Sequence, residues 1–439
     1  MFRNKKITVL GLGLLGRGVG DVEFLAECGA RVLVTDKKSK SELAESIERL
    51  KKYKNISFRL GGHKTEDFTA CDFVVKAAGV PLDSPEIATA RHSGVPVYMS
   101  TALFAKFATE SGAKIVGVTG TRGKSTVAHM IYHTLQKAKK HSNILKNIRM
   151  FLGGNVRGKS TLALLPEVRR ADVVVLELDS WQLQGFGDLK ISPHIAVFTN
   201  FLQDHVNYYP TTDAYFADKA NIFKFQKQSD VLIVGGLVAK KVEAARTKAA
   251  PQIAMPIPVE WKLKVIGEHN RENASLAVAA LESLGIAEKD IRAGLESFEG
   301  VEGRLQFVRE VNGVKIYNDN HASTPEATIA AIRSVKELGP LTIIVGGTEK
   351  SIELSGLAKE LNELEGGVVL FSGTGTEKLK PLLTSTFTEV GTLKDALNVA
   401  LKTAPKNGTV LFSPAFASFG PFVNYYDRND QFLALVKAL

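Results

Sequence analysis

The sequence predicts an α/β protein of three domains, with Rossmann-like domains at the N- and C-terminal ends and a central P-loop-type domain. Short apolar segments alternate with helical patterns along most of the chain, which is typical of parallel sheets covered by helices. Two glycine-rich turns each follow an apolar segment and open a helix. The length of 439 residues fits two to four domains of about 100–200 residues each.

The first predicted domain covers residues 1–104. Its strands are predicted at ITVL (7–10), RVLVTD (31–36) and FVVKAAG (73–79), with helical patterns at DVEFLAECG and SPEIATARHSG. The central domain, 105–299, opens with the strand KIVGVTG and holds further apolar strands in 171–180 and 194–201. The C-terminal domain, 300–439, repeats the alternation with LTIIVGG, GVVLFSG and TVLFSPA. Each group predicts a parallel sheet.

Composition excludes several classes of protein. No apolar run reaches the ~20 residues that cross a bilayer, and the basic, apolar N-terminus alternates like a strand, so we expect neither a membrane segment nor a secretion signal. Cys28 and Cys71 are the only cysteines, which fits a cytoplasmic protein without a disulfide framework. The net charge of +10 is scattered along the chain, which favours an anionic small substrate over nucleic acid. We expect a monomer.

The first glycine-rich turn, Gly11 to Gly16, follows a strand and precedes a helix, and Asp36 ends the next strand. This spacing is typical of dinucleotide binding, because glycines let the backbone approach a diphosphate at a helix N-terminus. NAD and a different nucleotide-like ligand both remain open on this motif alone.

The second turn, Gly120-Thr121-Arg122-Gly123-Lys124-Ser125-Thr126, is the stronger signal. Its backbone N–H groups can cradle phosphates, Lys124 can reach the terminal phosphates, and the Ser125 hydroxyl can hold Mg²⁺. Val118 stands where the common P-loop has glycine. We therefore predict an ATP site in an ATPase-type central domain.

A third segment, residues 153–160 (GGNVRGKS), fits the common P-loop pattern but lies between a weak strand and a stretch that soon meets proline. The Gly120 turn has the better strand–turn–helix context. Lys159 is accordingly interpreted as a basic loop residue.

Residues 119–126 resemble the signature of the Mur ligases of peptidoglycan synthesis, which folylpolyglutamate synthases share. The resemblance extends through LELDSWQL (176–183), TNFLQDHVNYYP (199–210), DAYFADKANIF (213–223), GEHNRENASLA (267–277), EGRLQ (302–306) and NDNHAST (318–324). GGTEKS (346–351) and residues 413–432 are similar to the amino-acid pocket of the D-glutamate-adding members. The resemblance also implies an N-terminal domain that binds a uridine nucleotide without NAD.

The resemblance implies an ATP-dependent ligase that joins D-glutamate to UDP-MurNAc-L-Ala through an acyl phosphate, with Mg²⁺. It implies catalytic roles for Lys124, His205 and Lys219, and metal ligation by Ser125, Glu177, His205 and a carbamylated Lys219. Without the resemblance, His205 and Lys219 read as a loop histidine and a surface lysine, and Glu177 as half of an ion pair.

The remaining implied contacts concern ATP and the substrates. ATP contacts beyond the Gly120 turn fall on Asn270, Asn273, Arg304 and Asp319. Substrate contacts fall on Gly13, Leu14, Leu15, Asp36, Asn155, Asp179, His321, Lys350, Ser418 and Tyr425. The plainer alternatives are helix capping by Asn270 and Asn273, a turn at Asn155, and an ion pair between Arg304 and Asp319.

Three positions depart from the family pattern. His321 replaces a lysine that helps to hold the amino acid's carboxylate, Arg122 replaces asparagine, and Asp179 replaces serine near the acyl acceptor. Another acidic amino acid, including L-glutamate, therefore remains open. Residues 137–152 are longer than the equivalent segment in the family, and no role is assigned to them.

Three alternatives remain: a related ligase adding another residue or acting on folate, an NAD(P)-dependent oxidoreductase using the first turn, and a noncatalytic nucleotide-binding module. The oxidoreductase leaves the Gly120 turn unexplained, and the noncatalytic module predicts ATP binding without turnover.

Overall fold

The computed structural model describes residues 2–13, 16–141, 145–204, 208–349, 352–418, 420 and 422–439. Within them the strands form three sheets. The chain divides into two compact units, residues 1–256 with 273–294 and residues 257–272 with 295–439. The α/β class is confirmed, whereas the three predicted domain ranges stay a prediction.

The first sheet has five parallel strands in the order β3-β2-β1-β4-β5. Successive strands are added on one side of β1 up to β3 and on its other side from β4, so the strand order reverses between β1 and β4. Ligands of such sheets bind beyond the carboxyl ends of the strands at this reversal. The elements are β1 (Lys6–Leu10), α1 (Arg17–Glu27), β2 (Arg31–Asp36), α2 (Ala44–Leu50), β3 (Ile56–Leu60), α3 (Glu66–Thr69), β4 (Phe73–Lys76), α4 (Pro85–His92), β5 (Val97–Tyr98) and α5 (Ser100–Glu110).

The second sheet is also parallel, in the order β11-β10-β9-β6-β8-β7. Its elements are β6 (Lys114–Thr119), α6 (Lys124–Lys139), β7 (Met150–Gly154), a 3₁₀ turn (Leu162–Leu164), β8 (Val173–Glu177), α7 (Ser180–Leu189), β9 (Ile195–Phe198), α8 (Thr212–Ala220), β10 (Val231–Val234), α9 (Gly236–Ala244) and β11 (Pro251–Ile253), followed by α10 (Glu268–Ser283) and α11 (Glu288–Glu296).

The first two sheets share one hydrophobic core. Side chains of β1, α1 and α5 lie in the same buried cluster as those of β8 and α7. Glycine at 185 allows α7 to approach α5, because a Cβ there would lie 2.8 Å from that of Met99. The first domain is therefore held against the central sheet by apolar packing.

The third sheet belongs to the second unit and has the order β12-β13-β17-β14-β15-β16, with β12 antiparallel to β13 and the others parallel. Ile343 and Ile344, neighbours on β14, lie in separate buried clusters, as expected for side chains on opposite faces. The elements are β12 (Gln306–Val311), β13 (Val314–Asn318), α12 (Pro325–Val335), a 3₁₀ turn (Lys336–Leu338), β14 (Leu341–Gly346), α13 (Ser355–Asn362), β15 (Val368–Phe371), α14 (Thr374–Leu379), a second 3₁₀ turn (Lys380–Leu382), β16 (Phe387–Val390), α15 (Leu393–Thr403), β17 (Thr409–Ala415) and α16 (Tyr425–Lys437).

No helix among the described residues is both long enough and apolar enough to pass through a bilayer.

Candidate active site

The Gly120 turn joins β6, an interior strand of the central sheet, to the 16-residue helix α6. Gly120 and Gly123 have φ values of +145° and +81°. A Cβ on Gly120 would lie 1.9 Å from the Thr199 hydroxyl oxygen, and one on Gly123 would lie 2.3 Å from Asn273 Oδ1. Backbone conformation and close approach both require glycine at the two positions. The turn places its N–H groups at the N-terminus of a long helix, where phosphate binding is favourable.

Two lysines converge on one carbonyl of this turn. Lys124 Nζ donates hydrogen bonds to the carbonyl oxygens of Gly120 at 3.1 Å and Thr121 at 3.0 Å. Lys219 Nζ, on α8, donates to the same Gly120 oxygen at 2.8 Å. The structure thus brings together two lysines that are distant in the sequence.

Lys219 is 1% exposed. Burial, followed by the positive charge of Lys124, holds its pKa well below the usual lysine value. Its ammonium also lies 4.8 Å from the centre of the Tyr215 ring. Lys219 is therefore a buried residue of α8 that contacts the Gly120 turn, and the plainer expectation of a surface lysine is wrong.

The other residues of the turn are held by the loop after β9. Thr121 is buried, and its hydroxyl donates to the Leu202 carbonyl. Arg122 pairs with Asp204 at 3.4 Å, and its backbone N–H donates to Asn200 Oδ1. Ser125 and Thr126 are buried in the first turn of α6.

Glu177 ends β8, the strand beside β6, and is 3% exposed. Asn155, after β7, donates from its amide to Glu177 Oε1 at 3.4 Å and accepts from Arg17 Nη1 at 2.7 Å. A buried carboxylate and the Ser125 hydroxyl are the hard oxygen donors that Mg²⁺ prefers. No cluster of three or more His, Cys, Asp or Glu with metal-binding geometry occurs in the described part of the chain.

Asp179 is the N-cap of α7. It accepts from the Gln182 backbone N–H at 2.7 Å, and Gln182 Oε1 accepts from the Asp179 N–H at 3.2 Å, which completes a capping box. The side chain thus has a local structural role, and its contact with the acyl acceptor stays a prediction.

The two asparagines of the predicted adenine motif lie inside α10, which begins at Glu268. Asn270 donates to the Ile266 carbonyl at 2.8 Å. Asn273 packs on Gly123 of the phosphate turn. Because α10 begins before both residues, the alternative that they cap this helix is wrong.

In the second unit, Asp319 follows β13 and is buried. Its two oxygens accept from the Leu305 backbone N–H at 3.0 Å and from the Ser413 hydroxyl at 2.9 Å. Burial raises the pKa of Asp319 to about 7, and the charge of Arg304 opposes this shift. Asp319 is thus anchored to the loop that carries Arg304.

The predicted amino-acid pocket is partly assembled in the same unit. The His321 ring meets the Tyr425 and Tyr426 rings edge-on, with centroids 5.2 and 6.0 Å away. Ser418 is buried beyond β17, and Tyr425 begins α16. The structure therefore brings His321 and Tyr425 together.

The first glycine-rich turn lies at the carboxyl end of β1. Gly11, Gly13 and Gly16 all have positive φ, and Gly16 is the N-cap of α1. Asp36 accepts from the backbone N–H groups of Leu12 at 2.8 Å and Lys38 at 2.9 Å. Asp36 therefore holds the turn through backbone hydrogen bonds.

The remaining predicted site residues, Leu14, Leu15, His205 and Lys350, lie outside the described residues.

Sequence reasoning gave no site role to four charged residues that line, within the described part of the chain, a cavity of about 220 Å³ between the first turn and the loop after β7. They are Arg17, Asp21, Lys76 and Lys159. The signal that could have indicated Lys76 is its place at the end of the apolar strand β4. The sequence pattern indicates only a basic loop residue at Lys159, and the structure shows it exposed on the loop while lining the cavity.

Three family models match consecutive parts of the chain. They are described as the Mur ligase MurD-like N-terminal domain (residues 5–99), the Mur ligase middle domain (118–255) and the Mur ligase glutamate ligase domain (303–416). A UDP-N-acetylmuramoylalanine–D-glutamate ligase of Roseiflexus sp. (strain RS-1) is 32% identical over 474 residues, covering 99% of this chain and 98% of the relative. The chain belongs to the Mur ligase family.

Other comparisons agree with this Mur ligase assignment. A ligase of the same name from Borreliella burgdorferi (strain ZS7) is 32% identical and covers 100% of this chain and 98% of its own. Among solved structures, the UDP-N-acetylmuramate–alanine ligase of Thermotoga maritima has a TM-score of 0.62 at 19% identity, covering 99% of this Mur ligase and 100% of that chain. The MurF ligase of Thermotoga maritima, crystallised with ADP, has a TM-score of 0.60 at 16% identity, with coverages of 100% and 96%. These structures share the fold.

Proposed function

We propose that this Mur ligase adds D-glutamate to UDP-N-acetylmuramoyl-L-alanine in an ATP-dependent step of peptidoglycan synthesis. The observation that carries the proposal is 32% identity over essentially the full length to ligases named for that reaction. The glutamate ligase domain matched at residues 303–416 supports it. Membership of a ligase family leaves the oxidoreductase alternative without support.

The proposed chemistry has two steps. The alanyl carboxylate attacks the γ-phosphorus of ATP, forming an acyl phosphate and releasing ADP. The glutamate amine then attacks the acyl carbon, a proton leaves the nitrogen, and phosphate departs. The first step brings two anions together, so it needs concentrated positive charge close to the transferred phosphoryl group.

Lys124 is proposed to supply that charge. It lies on the first residue of α6, and its ammonium already reaches the carbonyls of the turn that would hold the phosphates. The N-terminus of α6 adds a partial positive charge in the same place. Gly120, Thr121, Arg122, Gly123, Ser125 and Thr126 complete the proposed ATP loop.

Mg²⁺ is proposed to be held by Ser125 and Glu177, whose buried oxygens suit it, and by carbamylated Lys219 and His205. When bound, Mg²⁺ neutralises charge on the phosphate oxygens. Burial and Lys124 favour the unprotonated Lys219 amine, which is the form that attacks CO₂ to give a carbamate. The carbamate places a negative charge beside Lys124, whose positive charge stabilises it.

Residues of the C-terminal unit are proposed to take part in ATP and amino-acid binding. Arg304 and Asp319 are assigned to ATP, together with Asn270 and Asn273 of α10. His321, Ser418, Tyr425 and Lys350 are assigned to the amino acid. Asn155, Asp179, Asp36 and the turn at residues 13–15 are assigned to the nucleotide-linked acceptor. We also propose that the enzyme acts in the cytoplasm as a monomer, without nucleic acid or membrane partners.

The test is release of phosphate from ATP by the full-length protein with UDP-MurNAc-L-Ala and one added amino acid. Release with D-glutamate, and little with L-glutamate, D-aspartate or L-alanine, is the expected result. Release with a different amino acid assigns a related ligase activity instead. Binding of ATP with no release under any condition refutes the ligase proposal.

A further inference from the structure

Cations gather where three neighbouring strands of the central sheet begin. Strands β6, β8 and β7 are adjacent, and Lys114 and Met150 are each paired in register with Val173. The Arg149 carbonyl accepts from the Val173 N–H at 3.0 Å, and the Asp172 carbonyl accepts from the Lys114 N–H at 2.8 Å. The cations of this region, together called the basic edge, are Lys114, Lys139, Lys140, Lys146, Arg149, Arg169 and Arg170.

The segment at residues 137–152 contributes four of these cations. Lys139 Nζ donates to the Ile148 carbonyl at 2.8 Å, which ties the end of α6 to the residues that lead into β7. Leu145 is buried between them in sequence, whereas the neighbouring Lys146 is exposed. The segment therefore packs through its apolar side chain and turns its lysine to solvent.

Acidic side chains offset little of this charge. Asp172 is buried, and it accepts from Arg149 Nη2 at 2.7 Å and from the Arg169 backbone N–H at 2.8 Å. The members of the basic edge other than Lys139 and Arg149 are exposed, and no ion pair joins them to an acid among the residues that the structure describes. The edge thus presents positive charge to solvent.

Part of the charge has a local structural explanation. Lys137 and Lys139 lie in the last turn of α6, where the negative end of the helix dipole favours cations. This explanation does not extend to Lys114, which begins β6, or to Arg169 and Arg170, which lie in the turn before β8. Like charges on one surface repel each other, so binding of a negatively charged partner is favourable there.

The surface chemistry favours carboxylates as the source of negative charge. Peripheral membrane binding uses exposed apolar side chains, and binding of single-stranded nucleic acid uses exposed aromatic side chains on which bases stack. Within the described part of the chain, none of the exposed large apolar or aromatic side chains falls in residues 137–149 or 166–172. The basic edge offers charge alone, which suits an acidic protein segment.

The basic edge lies at the opposite end of α6 from the Gly120 turn. The helix begins at Lys124 and has 16 residues, which at ~1.5 Å per residue separates its ends by about 24 Å. We propose that the basic edge binds an acidic segment of another protein, with the lysines of residues 137–149 strengthening the contact. A partner bound there leaves the Gly120 turn accessible.

The test is fluorescence anisotropy of a labelled oligoglutamate peptide, titrated with the full-length protein at physiological ionic strength. Two pairs of charge reversals are compared with the wild type: Arg169→Glu with Arg170→Glu, and Lys140→Glu with Lys146→Glu. The pairs lie on different segments, so if one pair lowers the thermal unfolding temperature the other still tests the edge.

Lys394→Glu with Lys402→Glu is the matched control. Both lysines are exposed on α15 in the other compact unit, and the double substitution changes the net charge by the same amount as each test pair. A loss of binding that is confined to the test pairs therefore locates the peptide on the basic edge.

Peptide affinity should fall about 10-fold in each test pair and less than about twofold in the control, and added salt should weaken binding to the wild type. Phosphate release should change less than about twofold in all variants. A wild type that does not bind the peptide, or an equal loss in the control, would overturn the proposal. Tighter, edge-dependent binding of a thymidine oligonucleotide of equal charge, or edge-dependent cosedimentation with phosphatidylglycerol vesicles, would overturn it in favour of a different partner.

Discussion

Asp21 offers a quantitative test of the junction between the first and central domains. The carboxylate is buried on α1, where it accepts from the Ser160 hydroxyl at 2.6 Å. Burial raises its pKa from 3.8 to about 6, while hydrogen bonds from Ser160 and Ser100 and the charge of Arg17 pull it down. Ionisation of the Asp21 carboxyl therefore costs more free energy in the folded protein than in the unfolded chain.

The size of this effect follows from linkage. A rise of about 2 pKa units corresponds to about 3 kcal/mol. The folded pKa is the higher one, so the contribution of Asp21 to stability is fully present below pH 3.8, and about 3 kcal/mol of it is lost as the pH rises through about 6. Asp21→Asn keeps an oxygen acceptor for Ser160 and carries no charge. The variant should therefore be more stable than the wild type by up to about 3 kcal/mol at about pH 7.5, with the gain shrinking towards zero near pH 4.

The assay needs a signal from the unit that contains Asp21. The chain has two tryptophans, Trp181 and Trp261, of which Trp261 belongs to the other unit. In a Trp261→Phe background, fluorescence during urea unfolding reports the unit with Asp21. Unfolding free energies with and without the Asp21→Asn substitution are then compared at several pH values between about 4 and 7.5.

Asp213→Asn is the control, because Asp213 is 88% exposed and pairs at the surface with Lys241. Its effect should stay within about 1 kcal/mol at every pH. If Asp21→Asn gave the same change at both ends of the pH range, or lowered stability at the upper end, the buried carboxylate would not carry the cost assigned to it.

Three further substitutions test the ATP loop. Lys124→Met should lower phosphate release by at least about 100-fold, because it removes one cation from the phosphoryl group, while calorimetric UDP affinity stays within about twofold; normal release would move the ATP site elsewhere. Gly123→Ala places a side chain at φ +81° and against Asn273, at a backbone cost of about 1–2 kcal/mol, so ATP affinity should fall about tenfold; unchanged affinity would mean that the turn tolerates another conformation. Lys219→Arg cannot form a carbamate, so activity and a ¹³C-bicarbonate-derived carbamate signal should both disappear; an active variant would exclude the carbamate.

Apolar interior strands were predictable from the sequence, whereas the edge strands β12 and β16 were not. RVLVTD at 31–36 and TVLFSPA at 409–415 are strands over those same residues, because buried parallel strands carry a run of apolar residues, here VLV and VLF. Strands β12 and β16 are half or fully exposed at the sheet edges. Their sequences lack a continuous apolar run, and their pairing depends on β13 and β15, which no local pattern specifies.

The site was predictable where one short segment carries the chemistry. The Gly120 turn and its helix follow from the local spacing of glycines and lysine. The capping role of Asp179 could likewise be predicted from an Asp followed three residues later by Gln. The contact of Lys219 with Gly120 depends on how α8 packs against β6, and the burial of Lys76 depends on neighbours distant in sequence. Tertiary packing creates both environments, so neither could be predicted from the sequence around the two lysines.

The two glycine–lysine segments show why a phosphate-binding pattern has to be judged by the structural element that comes after it. After β6 comes a helix of 16 residues, whose aligned peptide dipoles and N-terminal N–H groups favour a triphosphate. After β7 comes a three-residue 3₁₀ turn, which has no comparable dipole. The P-loop pattern at residues 153–160 therefore lacks the helix N-terminus that phosphate binding uses, and the Gly120 turn remains the proposed ATP site.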